Sequence, residues 1–259
     1  MSNALEFRNI SVVTAADRSL LVDVTLALGE GTVTAVLGRS GSGKTTLLRT
    51  ANRMIDPTRG EVYVCGRNVQ EAPLVDLRRG IGYVIQETGL FPHFTVERNV
   101  GLVLEANGAP NQRRVERTGE LLRLVGLDPA AFSHRYPHQL SGGQRQRVGL
   151  ARALAAEPGI LLMDEPFGAL DPLTRAEMQD MLRALLQHLQ TTVLLVTHDL
   201  DEALYLADRI VLMSEGRVIA NLARDEFLQS NQPEIIDYAH AYHRNRTGEG
   251  SHSEPRIRA

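Results

Sequence analysis

The 259-residue chain has one cysteine, almost no excess of charge and no long apolar run, and each shortage removes a class of protein. Cys65 by itself cannot close an intramolecular disulfide, which fits a reducing compartment. Its expected role is that of a small buried hydrophobe in a strand. Lys plus Arg number 28 against 31 for Asp plus Glu, a formal net charge of −3. That balance argues against a dedicated nucleic-acid binder, whose domain would be strongly basic, and against an acidic disordered chain. Runs such as Ile160–Met163 and Val193–Val196 fall far short of the roughly 18 apolar residues of a membrane span. No basic stretch followed by an apolar one opens the chain, so no signal peptide is expected, and any service to a membrane would be peripheral. His93, His134, His138 and His188 lack metal-ligand spacing, and no internal repeat or low-complexity block is present.

What remains is an ordinary folded composition, 43% hydrophobic, long enough for one large α/β domain with an inserted lobe. Residues 5–37 read as β-rich, with Val24, Leu26 and Leu28 alternating before a turn at Gly29 and Gly31 and a buried strand at Val33–Leu37. Helical character follows over Thr46–Asn52. Strands are expected at Val62–Cys65, Ile81–Ile85, Ile160–Met163 and Thr192–Thr197, with a helix over Thr174–Leu189. Between about Thr88 and Ala156 the pattern turns helix-rich, with Val115–Val125 amphipathic, which places a helical lobe inside the α/β core. Strands alternating with helices predict a largely parallel sheet. Ile210–Met213 and Val218–Ala220 flank Glu215-Gly216 as a hairpin, and the polar residues from Arg244 onward read as a frayed tail.

The chemistry starts at Gly38-Arg39-Ser40-Gly41-Ser42-Gly43-Lys44-Thr45-Thr46, set between a strand and a helix. Glycines there let several backbone amides surround a phosphate, and the following helix points its positive end at the same anion. Lys44 is expected to neutralise β- and γ-oxygens of ATP, and the Thr45 hydroxyl to ligate Mg²⁺. The strand Ile160–Met163 runs into Asp164 and Glu165, at the strand end where α/β folds place ligands. Asp164 is expected to support Mg²⁺ and Glu165 to polarise the attacking water. Gln86 closes the strand Ile81–Ile85, where its amide can reach the ion or the water. Ser141-Gly142-Gly143-Gln144 precedes a helix over Arg145–Leu154, and Ser141 suits its N-cap while the glycines let a phosphate approach.

Leu140-Ser141-Gly142-Gly143-Gln144-Arg145-Gln146-Arg147, in order after the Gly38–Thr45 loop and Gln86 and before Asp164-Glu165, resembles the signature of the ATP-binding cassette (ABC) family over residues 5–225. The resemblance implies a P-loop core with an antiparallel β subdomain and an inserted helical subdomain. The cassette would cover residues 1–243, with a polar tail over 244–259. It gives Gln86 the Q-loop role and Ala169-Leu170-Asp171 the D-loop role, with Asp171 near the nucleotide. His198 of Thr197-His198-Asp199 becomes the switch histidine on the γ-phosphate. Since a monomer of this family holds the signature away from its own P-loop, a homodimer closed by two ATP molecules is implied. The interval from Lys44 to Ser141 leaves no room for a coiled coil, and a single cassette without fused membrane spans resembles the ATPase subunit of a bacterial importer. Such a subunit works at the cytoplasmic face with two transmembrane permease subunits and, indirectly, an external solute-binding protein.

Ile81–Gln86 followed by Gly89-Leu90-Phe91-Pro92-His93, with Arg135–Leu140 and Asp171–Arg175, is similar to ATPases of the glycine betaine, carnitine and choline importers. Amino-acid importers share parts of this pattern and form the alternative, with a soluble non-transport ATPase a third reading. Two departures stand out. Thr14 occupies the position where an adenine-stacking aromatic is usual, so adenine is expected to rest on Val12 or Val13 with weaker base discrimination. The residues after Ala223 are too few for the C-terminal regulatory pair that many betaine-type subunits carry.

Overall fold

A computed structural model describes residues 3–86 and 88–247. Its first layer is an antiparallel sheet. β1 (Asn3–Val13) and β2 (Ser19–Gly29) form a hairpin closed at Thr14–Arg18, where the Thr14 amide donates to the Arg18 carbonyl at 2.9 Å. Val24, Leu26 and Leu28 point inward and Asp23, Thr25 and Ala27 outward, the alternation read in the sequence. After β3 (Val33–Leu37) and α1 (Lys44–Ala51), β4 (Arg59–Val64) and β5 (Arg67–Asn68) complete this sheet in the order β2-β1-β4-β5. Cys65 corrects the sequence reading. It is exposed and lies beyond β4 in a two-residue turn with Gly66, at φ 47° and 74°. A left-handed pair of this kind suits a tight hairpin, and it takes the thiol out of the strand.

The second sheet runs β10-β9-β3-β8-β7-β6. α2 (Leu74–Arg79) leads into β6 (Ile81–Val84). β7 (Ile160–Asp164) and β8 (Thr192–Val196) pair in parallel with each other and with β6 and β3. β9 (Arg209–Ser214) lies parallel to β3, while β10 (Arg217–Ala223) returns antiparallel through Glu215 and Gly216, both at positive φ. β3, β7 and β8 are buried at every position, as continuous apolar runs require when both faces are covered. Val36, Leu162 and Leu194 face α1 and the antiparallel sheet, whereas Ala35, Leu161 and Leu195 face the helices of the other side. Each fully buried leucine contributes about 1.5–3 kcal/mol.

The inserted lobe holds α3 (Val96–Ala106), α4 (Asn111–Leu124), α5 (Pro129–Phe132), a short 3₁₀ turn and α6 (Gly142–Leu154). In α4 the buried positions are Thr118, Leu121 and Leu122, while Val115 is exposed. α7 (Pro172–Leu186) and α8 (Leu200–Leu206) pack between the later strands. α9 (Arg224–Leu228) and α10 (Pro233–Thr247) follow β10. α10 runs three residues past Arg244, where the sequence pattern placed the start of a frayed tail; the rest of that tail lies outside the described residues. Among the described residues no helix is long and apolar enough to cross a membrane.

Candidate nucleotide-binding site

The carboxyl ends of β3, β8, β7 and β6 lie side by side, and the loops leaving β3 and β7 line a cavity together with the β1–β2 hairpin. From β3 the chain passes through Gly38–Gly43 into α1, whose N-cap Gly43 sits at φ 99° with no side chain capping the first turn. A Cβ at Gly43 would come within 2.8 Å of the Leu20 carbonyl, so only glycine fits. A Cβ at Gly38 would run into the Met213 carbonyl. A cavity of about 220 Å³ opens over this loop, lined by Ser40, Gly41, Gly43, Lys44, Thr45 and Thr46, with Arg18, Leu20 and Glu165.

Lys44 is buried, its ammonium donating to the carbonyls of Gly38 at 2.8 Å and Arg39 at 3.0 Å. Burial lowers its pKa, and the carboxylates of Glu165 and Asp164 oppose that shift. The Ser42 hydroxyl is buried without a hydrogen-bond partner. An uncapped helix start, an ammonium turned back on its own loop and an orphaned hydroxyl together suit an anionic ligand.

β7 delivers the two carboxylates differently. Asp164 accepts a 2.8 Å hydrogen bond from the Thr45 hydroxyl, and Arg49 lies 3.8 Å from its other oxygen. Glu165 leaves the strand in the left-handed region at φ 46°, its amide donating to the Val196 carbonyl at 2.9 Å. A non-glycine residue held there is strained, and the strain re-aims its side chain away from the strand's alternation. Glu165 Oε2 lies 3.4 Å from His198 Nδ1 and 3.5 Å from Gln86 Nε2. Sequence positions 44, 86, 164, 165 and 198 therefore meet at one edge. The Thr45 hydroxyl and Asp164 carboxylate are hard oxygen donors that fit Mg²⁺. Among the described residues no group of three or more His, Cys, Asp or Glu could hold a metal, so phosphate and water would complete its shell.

The residues Ser141–Gln144 line no part of this cavity. Ser141 caps α6, its hydroxyl accepting from the Gln144 amide at 3.2 Å while Gln144 Oε1 accepts from the Ser141 amide at 2.9 Å. Gly142 is exposed, and Gly143 packs so closely on α7 that a Cβ would strike Thr174. Asp171 caps α7 through the Thr174 amide at 3.1 Å, and Thr174 holds its carboxyl below the usual range. It too stands apart from the cavity. At the base end, Val12 is buried in the core, and Val13 is half-buried with its amide on the Thr58 hydroxyl at 2.8 Å. The hairpin residues that line this cavity are Arg18 and Leu20, while Val12 and Val13 are not among its walls.

Several supporting residues escaped sequence reasoning. Asn99 is fully buried and holds the Phe91 amide at 2.8 Å and the carbonyls of Phe91, Phe94 and Thr95. Arg152 on α6 donates to the carbonyls of Thr88 and Gly89 at 2.8 and 2.7 Å, tying the loop after Gln86 to the helix that begins at Ser141. The Thr197 hydroxyl donates to buried Glu202 at 2.6 Å, and Arg175 reaches both Asp199 at 3.6 Å and the Leu170 carbonyl at 3.3 Å. A polar residue on a buried helix face, such as Asn99 beside Val100 or Glu202 beside Ala203, breaks the apolar pattern and so reads as exposed. A larger groove of about 950 Å³ between β4 and α2 gathers none of the expected residues.

Residues 21–168 match the family described as ABC transporter. The choline transport ATP-binding protein of Bacillus subtilis is 44% identical over 233 residues, which cover 90% of this chain and 61% of that protein. A glycine betaine uptake system ATP-binding protein of Escherichia coli is 46% identical over 215 residues, covering 83% of this chain and 69% of its own length. The chain spans 58–61% of the length of the first curated relatives it matches. Among solved structures, the dimeric post-hydrolysis state of the ATP-binding cassette MJ0796, bound to ADP and Pi, superposes at a TM-score of 0.77 with 33% identity. That match covers 85% of this chain and 98% of the other. CbiO1 of Clostridium perfringens, part of an ABC transporter complex, superposes at 0.81 with 26% identity over 96% of this chain and 98% of its own.

Proposed function

The chain belongs to the ABC transporter family, and we propose that it is the ATP-binding and ATP-hydrolysing subunit of an importer for a small quaternary amine such as glycine betaine, choline or carnitine. The observation that carries the ATP chemistry is the meeting of Lys44, Asp164, Gln86 and His198 around a Glu165 held in left-handed backbone. In this reading the amides of Gly38–Thr46 hold the phosphates, and Lys44 exchanges its loop carbonyls for β- and γ-oxygens. Thr45, Asp164 and Gln86 would hold Mg²⁺, which when bound neutralises charge on those oxygens. The Glu165 carboxylate takes a proton from the attacking water, a contribution of about 10²–10⁴-fold. His198 donates a hydrogen bond to the γ-phosphate and so distinguishes ATP from ADP.

Ser141–Gln144 lines no part of its own chain's cavity, which supports a contact with nucleotide held by another copy. ATP thus closes a homodimer, with Asp171 at the seam, and hydrolysis releases it. The loop Gly89–Phe94, braced by Asn99 and Arg152, supports a docking role toward two membrane-spanning permease subunits. The subunit then sits peripherally on the cytoplasmic face, and an external binding protein selects the solute. The test is Glu165→Gln: ATP should drive a stable dimer, seen by light scattering, with turnover reduced at least about 10²-fold. Near-normal hydrolysis would remove Glu165 from the base role. The solute class is tested by titrating the cognate binding protein with betaine, choline and an amino acid; preference for the amino acid would overturn it.

A further inference from the structure

α10 touches the site through its middle turns. The Tyr238 hydroxyl donates to the His198 carbonyl at 3.1 Å, and Tyr238 borders the same cavity as Gly38, Arg39 and Ser40 of the phosphate loop. One phenol therefore holds the loop that carries His198 beside the loop that wraps the phosphates. One turn on, the Tyr242 hydroxyl donates to Asp199 Oδ1 at 2.6 Å and lies 3.2 Å from Asp201 Oδ2. On its other side the His198 loop is fixed by Thr197 on Glu202 and by the Asp199 cap of α8. A cavity of about 310 Å³, lined by Gly38, Arg39, Ser40, His198 and the two tyrosines, lies beneath α10. The helix thus packs on the core through Ile235, Tyr238, Ala239 and Tyr242 and reaches these loops by hydroxyl contacts beside a void.

We infer that Tyr238 and Tyr242 are positioning residues that set His198 against the phosphate loop, so that α10 tunes how the site senses the γ-phosphate. His198 is more than half exposed as a side chain, and apart from the carboxylate of Glu165 its placement comes from its backbone. Loosening that backbone should weaken a contact made to ATP and leave a contact absent from ADP unaffected. The inference rests on the ATP-driven dimer reading and goes beyond it by assigning part of γ-phosphate recognition to the C-terminal helix.

The experiment uses the full chain with Glu165→Gln, so that nucleotide binding is read without turnover. Tyr238→Phe, which keeps the ring, should raise the ATP concentration for half-maximal dimerisation by about three- to tenfold, as expected for one lost hydrogen bond. The monomer's ADP affinity should stay constant. Adding Tyr238→Phe to His198→Ala should produce no further shift, since both act through one contact. Tyr242→Phe is the second variant and should move the midpoint in the same direction. An unchanged midpoint in both variants overturns the inference, as does an equal loss of ADP affinity or a full additional shift on His198→Ala. If Glu165→Gln itself fails to dimerise with ATP, the dimer reading falls and takes this inference with it. Dimerisation that ignores both tyrosines removes the inference alone.

Discussion

α1 and α6 both begin at glycine-containing loops assigned to phosphate, and they begin in opposite ways. α1 starts from Gly43 with no side-chain cap, so its first-turn amides are left to a ligand. α6 starts from a closed capping box, Ser141 and Gln144 each satisfying the other's backbone amide. The first loop therefore gains hydrogen bonds when an anion arrives, whereas the second must give one up or offer only what its box leaves over. In the proposed dimer, a site built of these two halves would bind nucleotide at α1 first and recruit α6 second. That order suits a switch in which closure follows binding.

The strongest way to break the comparison is to disable the open half. Lys44→Ala removes the cation from the uncapped loop and leaves the Gly38 and Arg39 carbonyls without their donor. Two charge-assisted hydrogen bonds at about 1.5–3 kcal/mol each predict a loss of about 10³-fold in kcat/KM for ATP. Steady-state phosphate release measures it, and a loss under tenfold would mean the loop binds by amides alone.

A third helix start sharpens the contrast through pH. α8 is capped by Asp199, and its Glu202 carboxyl is pushed up to about 7, first by burial and then by Asp199, with Thr197 and Arg175 pulling it down. The folded chain thus keeps a proton that the unfolded chain releases above about pH 4.5. This group favours folding at low pH and loses that advantage as pH rises through about 7, a swing of about 2 kcal/mol between pH 5.5 and 8. Glu202→Gln should flatten the decline of Tm over that range. An unchanged slope would place the titrating group elsewhere.

The phosphate edge was legible because its logic is local. Buried strands show as unbroken apolar runs, and the Gly38–Thr45 loop and the Asp164-Glu165 pair sit at their ends, so the parallel strands were legible although their order was not. Helix α10 was not legible. Among the described residues Ile235 is the one buried position of this helix, and although Tyr238, Ala239 and Tyr242 continue its stripe onto the core, the hydroxyl anchors to the His198 loop leave no signal in the sequence. Glu202 hid for a related reason, since an acid in the first turn of a helix reads as solvated and dipole-favoured. Cys65 misled because strand propensity says nothing about the left-handed turn that Gly66 completes.

The smallest expected effect separates the two meanings of Ser141. Ser141→Ala opens the capping box and should cost about 1 kcal/mol of stability without nucleotide, whereas Ser141→Gly should cost only a few tenths of that unit. Both variants lack the hydroxyl that a partner's phosphate would meet. If the serine acts on nucleotide, both should weaken ATP-dependent dimerisation of the Glu165→Gln chain alike, although only Ala lowers the melting temperature appreciably. If glycine restores dimerisation together with melting temperature, the serine is a helix cap and nothing more. The closed start of α6 would then contribute to the dimer only through the amides of Gly142 and Gly143.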